Sequence, residues 1–188
     1  MNSLKSNDEG FTGLEAAIVL IAFVVVAAVF SYVVLGAGFF TTQKAQETVY
    51  KGVEQSTANI QMIGNVYGLS SVPASGIDEI KFSIGLAPGA PAIDLTKMKI
   101  VFSTPATSPI ILAQNNSVAS STTTFTTKLN GATAVSSMNA NDQVEIDFDT
   151  AFVTANTKMT IELRPSVGAA LPFSKTAPAT ISTTNVLY

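Results

Sequence analysis

Two hydrophobic periods divide the chain. From Phe11 the apolar positions first run without a break and then recur at helical spacing; from about Ile77 they alternate every second residue. The first part is built on AAIVLIAFVVVAAVFSYVVLGAGFF, residues 16–40, in which only Ser31 and Tyr32 are weakly polar. No charged side chain lies between Glu15 and Lys44, and the first proline of the chain is Pro73. About 20 apolar residues suffice to cross a bilayer as a helix. The β-branched Val24, Val25, Val26 and Val29 lower helix propensity slightly. Away from water that preference is overridden, because backbone groups must bond within their own segment. Gly36 and Gly38 are soft points that mark either a bend or a close helix–helix approach.

The helical pattern continues through TTQKAQETVYKGVEQSTANIQMIG, with an apolar stripe at Ala45, Val49, Val53, Ile60 and Ile63. Glu47 precedes Lys51 by four residues, a supporting pair on a helix surface. The Gly and Asn residues between Gly64 and Gly68 predict the helix end, so residues 11–68 read as one helix. From Leu14 to Ile63 such a helix is about 75 Å long. A domain of ~115 residues is only roughly 30–35 Å across. The rod is therefore too long to be buried by its own chain.

Residues 69–188 carry the second period. Ile80, Phe82, Ile84 and Leu86 alternate with Lys81, Ser83 and Gly85. Met98, Ile100 and Phe102 follow the same rule, as do Val144, Ile146 and Phe148, and Met159, Ile161 and Leu163. Each is a half-buried strand pattern. Weaker strands are predicted at residues 109–114, 121–129 and 179–187. Breakers separate these runs: Pro88-Gly89, Pro105, Asn115-Asn116, Asn130-Gly131, Pro165, Pro172 and Pro178. The expected fold class is α+β, a long N-terminal apolar α-helix followed by an antiparallel β-sandwich or β-barrel domain.

Composition narrows the function. Charged residues are 12% of the chain and the net charge is −3, with no basic cluster. A nucleic-acid partner needs a Lys/Arg footprint and is not expected. The chain has no cysteine and no histidine. It therefore lacks disulfides, thiolate chemistry, the commonest general base and the commonest metal ligand. No nucleophile–base set, P-loop, dinucleotide fingerprint or H-E-x-x-H occurs, and Gly85 to Ala90 is a turn without the lysine of a phosphate loop. No catalytic residue, metal or cofactor is expected. Asn141, Gln143, Glu145, Asp147 and Asp149 share one strand face, a density of oxygen ligands compatible with Ca²⁺. No D-x-D-x-D-G loop accompanies them, and the row reads more simply as a solvated, edge-protecting face. Asn115-Asn116-Ser117 is an acceptor pattern for an N-linked glycan at Asn115. Ser120 to Thr127 is a hydroxyl-rich run, either a polar strand or an O-glycan acceptor.

The N-terminal junction is the most informative motif. Met1 to Gly10 is short and polar, and the junction Glu9-Gly10-Phe11-Thr12-Gly13-Leu14-Glu15 lies before the apolar run. An ordinary secretory signal has a shorter apolar part, about 7–15 residues, and its cleavage site follows it. This junction resembles the processing site of type IV pilins and, more closely, of archaellins, the subunits of the archaeal flagellum. The stretch GLEAAIVLIAFVVVAAVFSYVVLGAGFFTTQKAQETVY is similar to the archaellin N-terminal helix, and the Thr/Ser-rich β-domain after it fits the same layout.

The resemblance implies a leader, residues 1–10, removed after Gly10 by a prepilin-type leader peptidase, with Phe11 as the mature N-terminus. Glu15 then becomes the fifth residue, where pilins commonly carry glutamate. A carboxylate in an apolar layer is costly unless paired. Either the new amine of Phe11 pairs with Glu15, or Glu15 simply favours the helix N-terminus. The implied life cycle is a precursor in the cytoplasmic membrane, then transfer by membrane assembly machinery into a self-assembled extracellular filament used for swimming. An adhesion pilin of the same superfamily and a monomeric membrane-anchored β-sandwich protein are the alternatives. Replacing Gly10 (Gly10→Val) is expected to stop processing and leave full-length protein in the membrane. N-terminal sequencing checks this; filaments beginning at Phe11 from that variant would contradict it.

Overall fold

The computed structural model describes residues 8–188, with side chains from Gly13 onward. Most of the expected leader, residues 1–7, lies outside the described residues, as does the side chain of Phe11. Compactness divides the chain into two units, Met1–Tyr50 and Lys51–Tyr188.

The described part of the first unit is helical, and the helix continues into the second. Helix α1 runs from Asp8 to Thr57, 50 residues without a proline. It ends earlier than the expected 11–68 span. The Thr57 hydroxyl donates to the Val53 carbonyl at 2.8 Å and the Ala58 N–H donates to Glu54 O at 2.9 Å. Two residues later the chain enters strand β1, Ile60–Leu69. Ile60 and Ile63 extend the helical stripe, yet Ile60 and Met62 also fit a period of two, and pairing on both edges decides between them. One edge of β1 pairs with β2, Ile77–Leu86, and the other with β12, Thr184–Leu187. Gly64, at φ +75°, lies where the register shifts between Ile63 and Tyr67. The residues read as a helix terminator thus form a bulge in a strand.

The second unit is a mostly antiparallel sheet. Its other strands are β3 (Ile93–Asp94), β4 (Lys99–Thr104), β5 (Thr107–Gln114), β6 (Thr124–Leu129), β7 (Thr133–Ala134) and β8 (Ser137–Met138). Then come β9 (Gln143–Val153), β10 (Lys158–Arg164) and β11 (Leu171–Thr176). Among the described residues ten strands join one sheet, in the order β11-β10-β4-β5-β6-β9-β2-β1-β12, with β7 beside β6. β3 and β8 form a separate pair. All pairings are antiparallel except the short β5–β6 contact at Ala113–Thr124 and Gln114–Phe125. The two ends of the sheet meet. Thr176 N–H donates to Tyr188 O at 2.6 Å and Tyr188 N–H donates to Thr176 O at 3.3 Å. The result is nearly a closed barrel, the arrangement that leaves least strand edge unpaired.

The core is the inward half of the period-two pattern. Ile80, Phe82 and Ile84 of β2, Val144, Ile146 and Phe148 of β9, and Met159, Ile161 and Leu163 of β10 are all buried. Phe102, Phe148, Phe82 and Phe173 form a chain of edge-to-face contacts, with centroids 5.7, 6.5 and 5.4 Å apart in that order. β11 was hidden in the sequence by Pro172, which reads as a breaker. It is tolerated because β11 is a terminal strand paired along its length only with β10.

Gly168 holds the β10–β11 loop against the chain leaving α1. Its φ is +97°, and a Cβ there would overlap the carbonyl of Ala58. Replacing it (Gly168→Ala) therefore combines backbone strain with a steric clash, an expected loss of about 2–4 kcal/mol. Denaturant unfolding measures this; wild-type stability would show that the loop relaxes freely.

Candidate assembly surface and modification site

Helix α1 offers an apolar surface that nothing in its own unit covers. Phe23 is 71% exposed, Phe30 69% and Leu20 67%. Leu14, Ile18, Val24, Val33 and Phe40 are exposed as well, so the apolar side chains surround the helix instead of lining one stripe. The segment Gly13–Thr57 is long and apolar enough to cross a membrane. Its polar groups are largely turned inward on the helix. The hydroxyls of Thr41 and Thr42 donate to the carbonyls of Ala37 and Gly38 at 2.8 and 2.9 Å, and Thr48 donates to Lys44 O at 2.9 Å. Lys44 pairs with Glu47 at 2.7 Å. Hydroxyls satisfied this way add little desolvation cost when the helix is covered. Gly36 and Gly38 leave open space where a Cβ would stand, a notch that another backbone can enter closely.

Glu15 is exposed on α1, four residues after Phe11 and thus one turn along the same face. Gly10 and Phe11 lie within the first turns of the same helix. The backbone thus places the three expected N-terminal residues on one element.

Asn115 lies where β5 leaves the sheet. Its Oδ1 accepts from the Ser117 N–H at 3.0 Å, and its own N–H donates to Phe125 O at 2.9 Å. The next residue faces the other way. Asn116 Nδ2 donates to Val135 O at 2.8 Å and to Thr127 Oγ1 at 3.1 Å, while its Oδ1 accepts from the Thr127 N–H at 2.8 Å. Asn116 therefore pins the loop and leaves partly exposed Asn115 in an Asx turn beside exposed Ser117. The acceptor motif points to Asn115; nothing in the sequence distinguishes the anchoring role of its neighbour.

The acidic row of β9 is an ion-pair network. Lys81 of β2 lies 3.4 Å from Glu79 and 3.9 Å from both Glu145 and Asp147, and Lys128 of β6 lies 3.5 Å from Asp147. Asp147 is buried, and its Oδ1 has no hydrogen-bond partner. Among the described residues no group of three acids converges as a metal site. Asp149 does line a shallow open cleft, together with Asp78, Glu79 and the hydroxyls of Ser70, Ser71 and Thr122. Its carboxylate already accepts from Ser120 Oγ at 2.8 Å, and Asp78 accepts from the Ser71 N–H and hydroxyl.

The sequence model of the family described as archaeal-type flagellin matches residues 10–175. The chain belongs to that family. A probable flagellin 1 of Archaeoglobus fulgidus is 39% identical, over 100% of this chain and 98% of the relative. The archaeal flagellum structure of Methanospirillum hungatei strain JF1 is similar with a TM-score of 0.72 at 33% identity, covering 94% of this chain and 99% of that one. The crystal structure of archaeal flagellin FlaB1 from Methanocaldococcus jannaschii has a TM-score of 0.59 at 14% identity, covering 69% of this chain and 96% of that one, a likeness of fold.

The charge network makes a pH-dependent contribution to this fold. Burial raises the Glu79 carboxyl above its ordinary value, Asp147 raises it further, and Lys81 only partly offsets this. Burial alone would lower Lys81, but Asp147, Glu79 and Glu145 together hold it above its usual range. A carboxyl raised in the folded state adds stability below its ordinary value of 4.5, which is lost as pH rises through the raised value. Replacing the group (Glu79→Gln) is expected to raise Tm by about 1–2 °C at neutral pH, the exposed part of the effect being screened. The gain should vanish on acidification toward 4.5. Thermal denaturation across pH checks it; a pH-independent difference, or a loss at neutral pH, would contradict it.

Proposed function

We propose that this chain is the structural subunit of an archaeal flagellar filament, polymerising through α1 and carrying the β-barrel as its outer shell. The uncovered apolar surface of α1 carries the reading. Each subunit added to a filament removes such surface from water at about 25 cal/mol per Å². The family match, the full-length flagellin relative and the likeness to a solved archaeal flagellum support it. The swimming role is favoured over adhesion because those relatives are flagellins. A bilayer takes about 20 helical residues. The 50-residue helix exceeds that, which favours a polymer over a monomeric membrane-anchored protein.

Maturation and placement follow the same logic. The precursor resides in the cytoplasmic membrane by α1, with the β-barrel outside. A prepilin-type peptidase removes residues 1–10, and assembly machinery moves the mature chain, starting at Phe11, into the extracellular filament. The mature helix occupies 11–57 and the barrel begins at Ile60. The chain supplies structure and no catalysis; the carboxylates near Asp149 serve the ion pairs and loop contacts described above. Asn115, held in its Asx turn, is the glycan acceptor.

Glu15 pairs with the amine created on Phe11, in its own chain or a neighbour's, and so offsets the cost of a carboxylate in an apolar core. Removing that partner (Glu15→Ala) is expected to leave cleavage intact and reduce filament yield about tenfold or more, by the cost of an unpaired buried charge. Electron microscopy and N-terminal sequencing of the same cells read both outcomes. Wild-type filament yield would remove the pairing role, and loss of filaments with an uncut leader would assign Glu15 to processing instead.

A further inference from the structure

The barrel is charge-segregated in a way the helix-based assembly does not use. At the outward-pointing positions of β2, β9 and β6 stand the half-buried Glu79, Glu145 and Asp149, with the buried Asp147 between Lys81 and Lys128, the two basic residues of the strip. β4 and β10 carry the opposite surplus, with exposed Lys99, Lys158 and Arg164 against Glu162 alone. Both sets are outward by the same alternation, since Ile146, Phe148, Ile100, Met159 and Leu163 between them are buried. The sheet order keeps the strips apart. β5 separates them on one side and β1, β12 and β11 on the other; β5, β1 and β12 contain no charged residue and β11 carries only Lys175. Because Thr176 and Tyr188 join the sheet ends, the two strips occupy different arcs of the barrel.

A chain whose charged residues are only 12% of the total has few charges to place, so their sorting is informative. Two complementary patches on different arcs of one domain cannot satisfy each other within a subunit. They match in a heterologous contact between copies, the type that propagates as an open filament when its rotation does not close a ring. Opposite potentials across such a contact favour one register and penalise the juxtaposition of like strips. On the basic strip Arg164 is matched by Glu162 at 2.9 Å, and among the described residues no ion pair joins Lys99 or Lys158 to an acid of that strip; on the acidic strip four carboxylates share two lysines.

We propose that the acidic β2–β9–β6 strip of one subunit docks on the basic β4–β10 strip of a second copy of this chain, a barrel-to-barrel contact that fixes the outer shell in register. It rests on the filament reading above and adds a second contact to the one through α1.

The absence of native cysteine allows a direct test. Ser83 lies beside Glu145 on the acidic strip and Thr160 lies between Lys158 and Glu162 on the basic one. Filaments of the doubly substituted full-length chain (Ser83→Cys with Thr160→Cys) are treated with a short bismaleimide and run on a denaturing gel. A ladder of covalent oligomers that requires both cysteines is expected. Filaments that give no ladder, or a dimer from either cysteine alone, would overturn the contact. Charge reversal provides an independent reading, with the fold of each variant checked by circular dichroism. Lys99→Glu with Lys158→Glu, or Glu79→Lys with Glu145→Lys, should each lower the sedimenting fraction of subunits about threefold at low salt. Combining all four should restore it. Single-strip reversals without effect, or no recovery on combination, would overturn the proposal. Failure of the unmodified chain to form filaments at all would instead count against the filament reading.

Discussion

Everything in this molecule depends on an apolar helical surface that its own unit leaves uncovered. Residues 13–46 are exposed throughout, and large side chains such as Phe23, Phe30 and Phe39 point in several directions around α1. Water tolerates such a surface poorly. On the function proposed above, a bilayer covers it before assembly and other copies of the helix cover it afterwards. The helix is suited to that exchange. Its threonines return their hydroxyls to the carbonyls of the preceding turn, and Gly36 and Gly38 permit close backbone approach. Membrane residence and polymerisation are then two solutions of one solvation problem.

On the filament reading proposed above, the barrel meets the opposite requirement, since it must remain folded and soluble at the filament surface. Its apolar residues are turned inward around the Phe82, Phe102, Phe148 and Phe173 chain. The backbone pair between Thr176 and Tyr188 brings the two ends of the sheet together. Open sheet edges invite uncontrolled strand pairing, and near-closure removes most of that hazard. In a protein made to polymerise, this confines association to chosen surfaces. Those are α1 and, on the proposal above, two charge-bearing strips.

Much of this was legible in the sequence, because both hydrophobic periods are strong. The absence of charge from Ala16 to Gln43 identifies α1. Alternation around Phe82, Phe102, Phe148 and Ile161 identifies β2, β4, β9 and β10. The helix terminus was not legible, since Ile60 and Ile63 satisfy a helical and a nearly alternating pattern at once. Only pairing with β2 and β12 settles it. Pro172 conceals β11, because a local rule against proline cannot know that the strand is terminal. The parallel β5–β6 contact and the near-overlap of Gly168 with Ala58 depend on residues far apart in sequence, so no local pattern carries them. At the candidate modification site the motif marks Asn115, whereas the geometry that presents it comes from Asn116 and its bonds to Thr127 and Val135.

The most direct test is a map of filaments assembled from this chain, at a resolution that shows side chains. The expected result is α1 helices of several copies packed together at the axis, with Ile18 to Phe40 surrounded by the same residues of neighbouring subunits and the barrels outside. Barrels at the axis, or α1 helices left separate from one another, would contradict it.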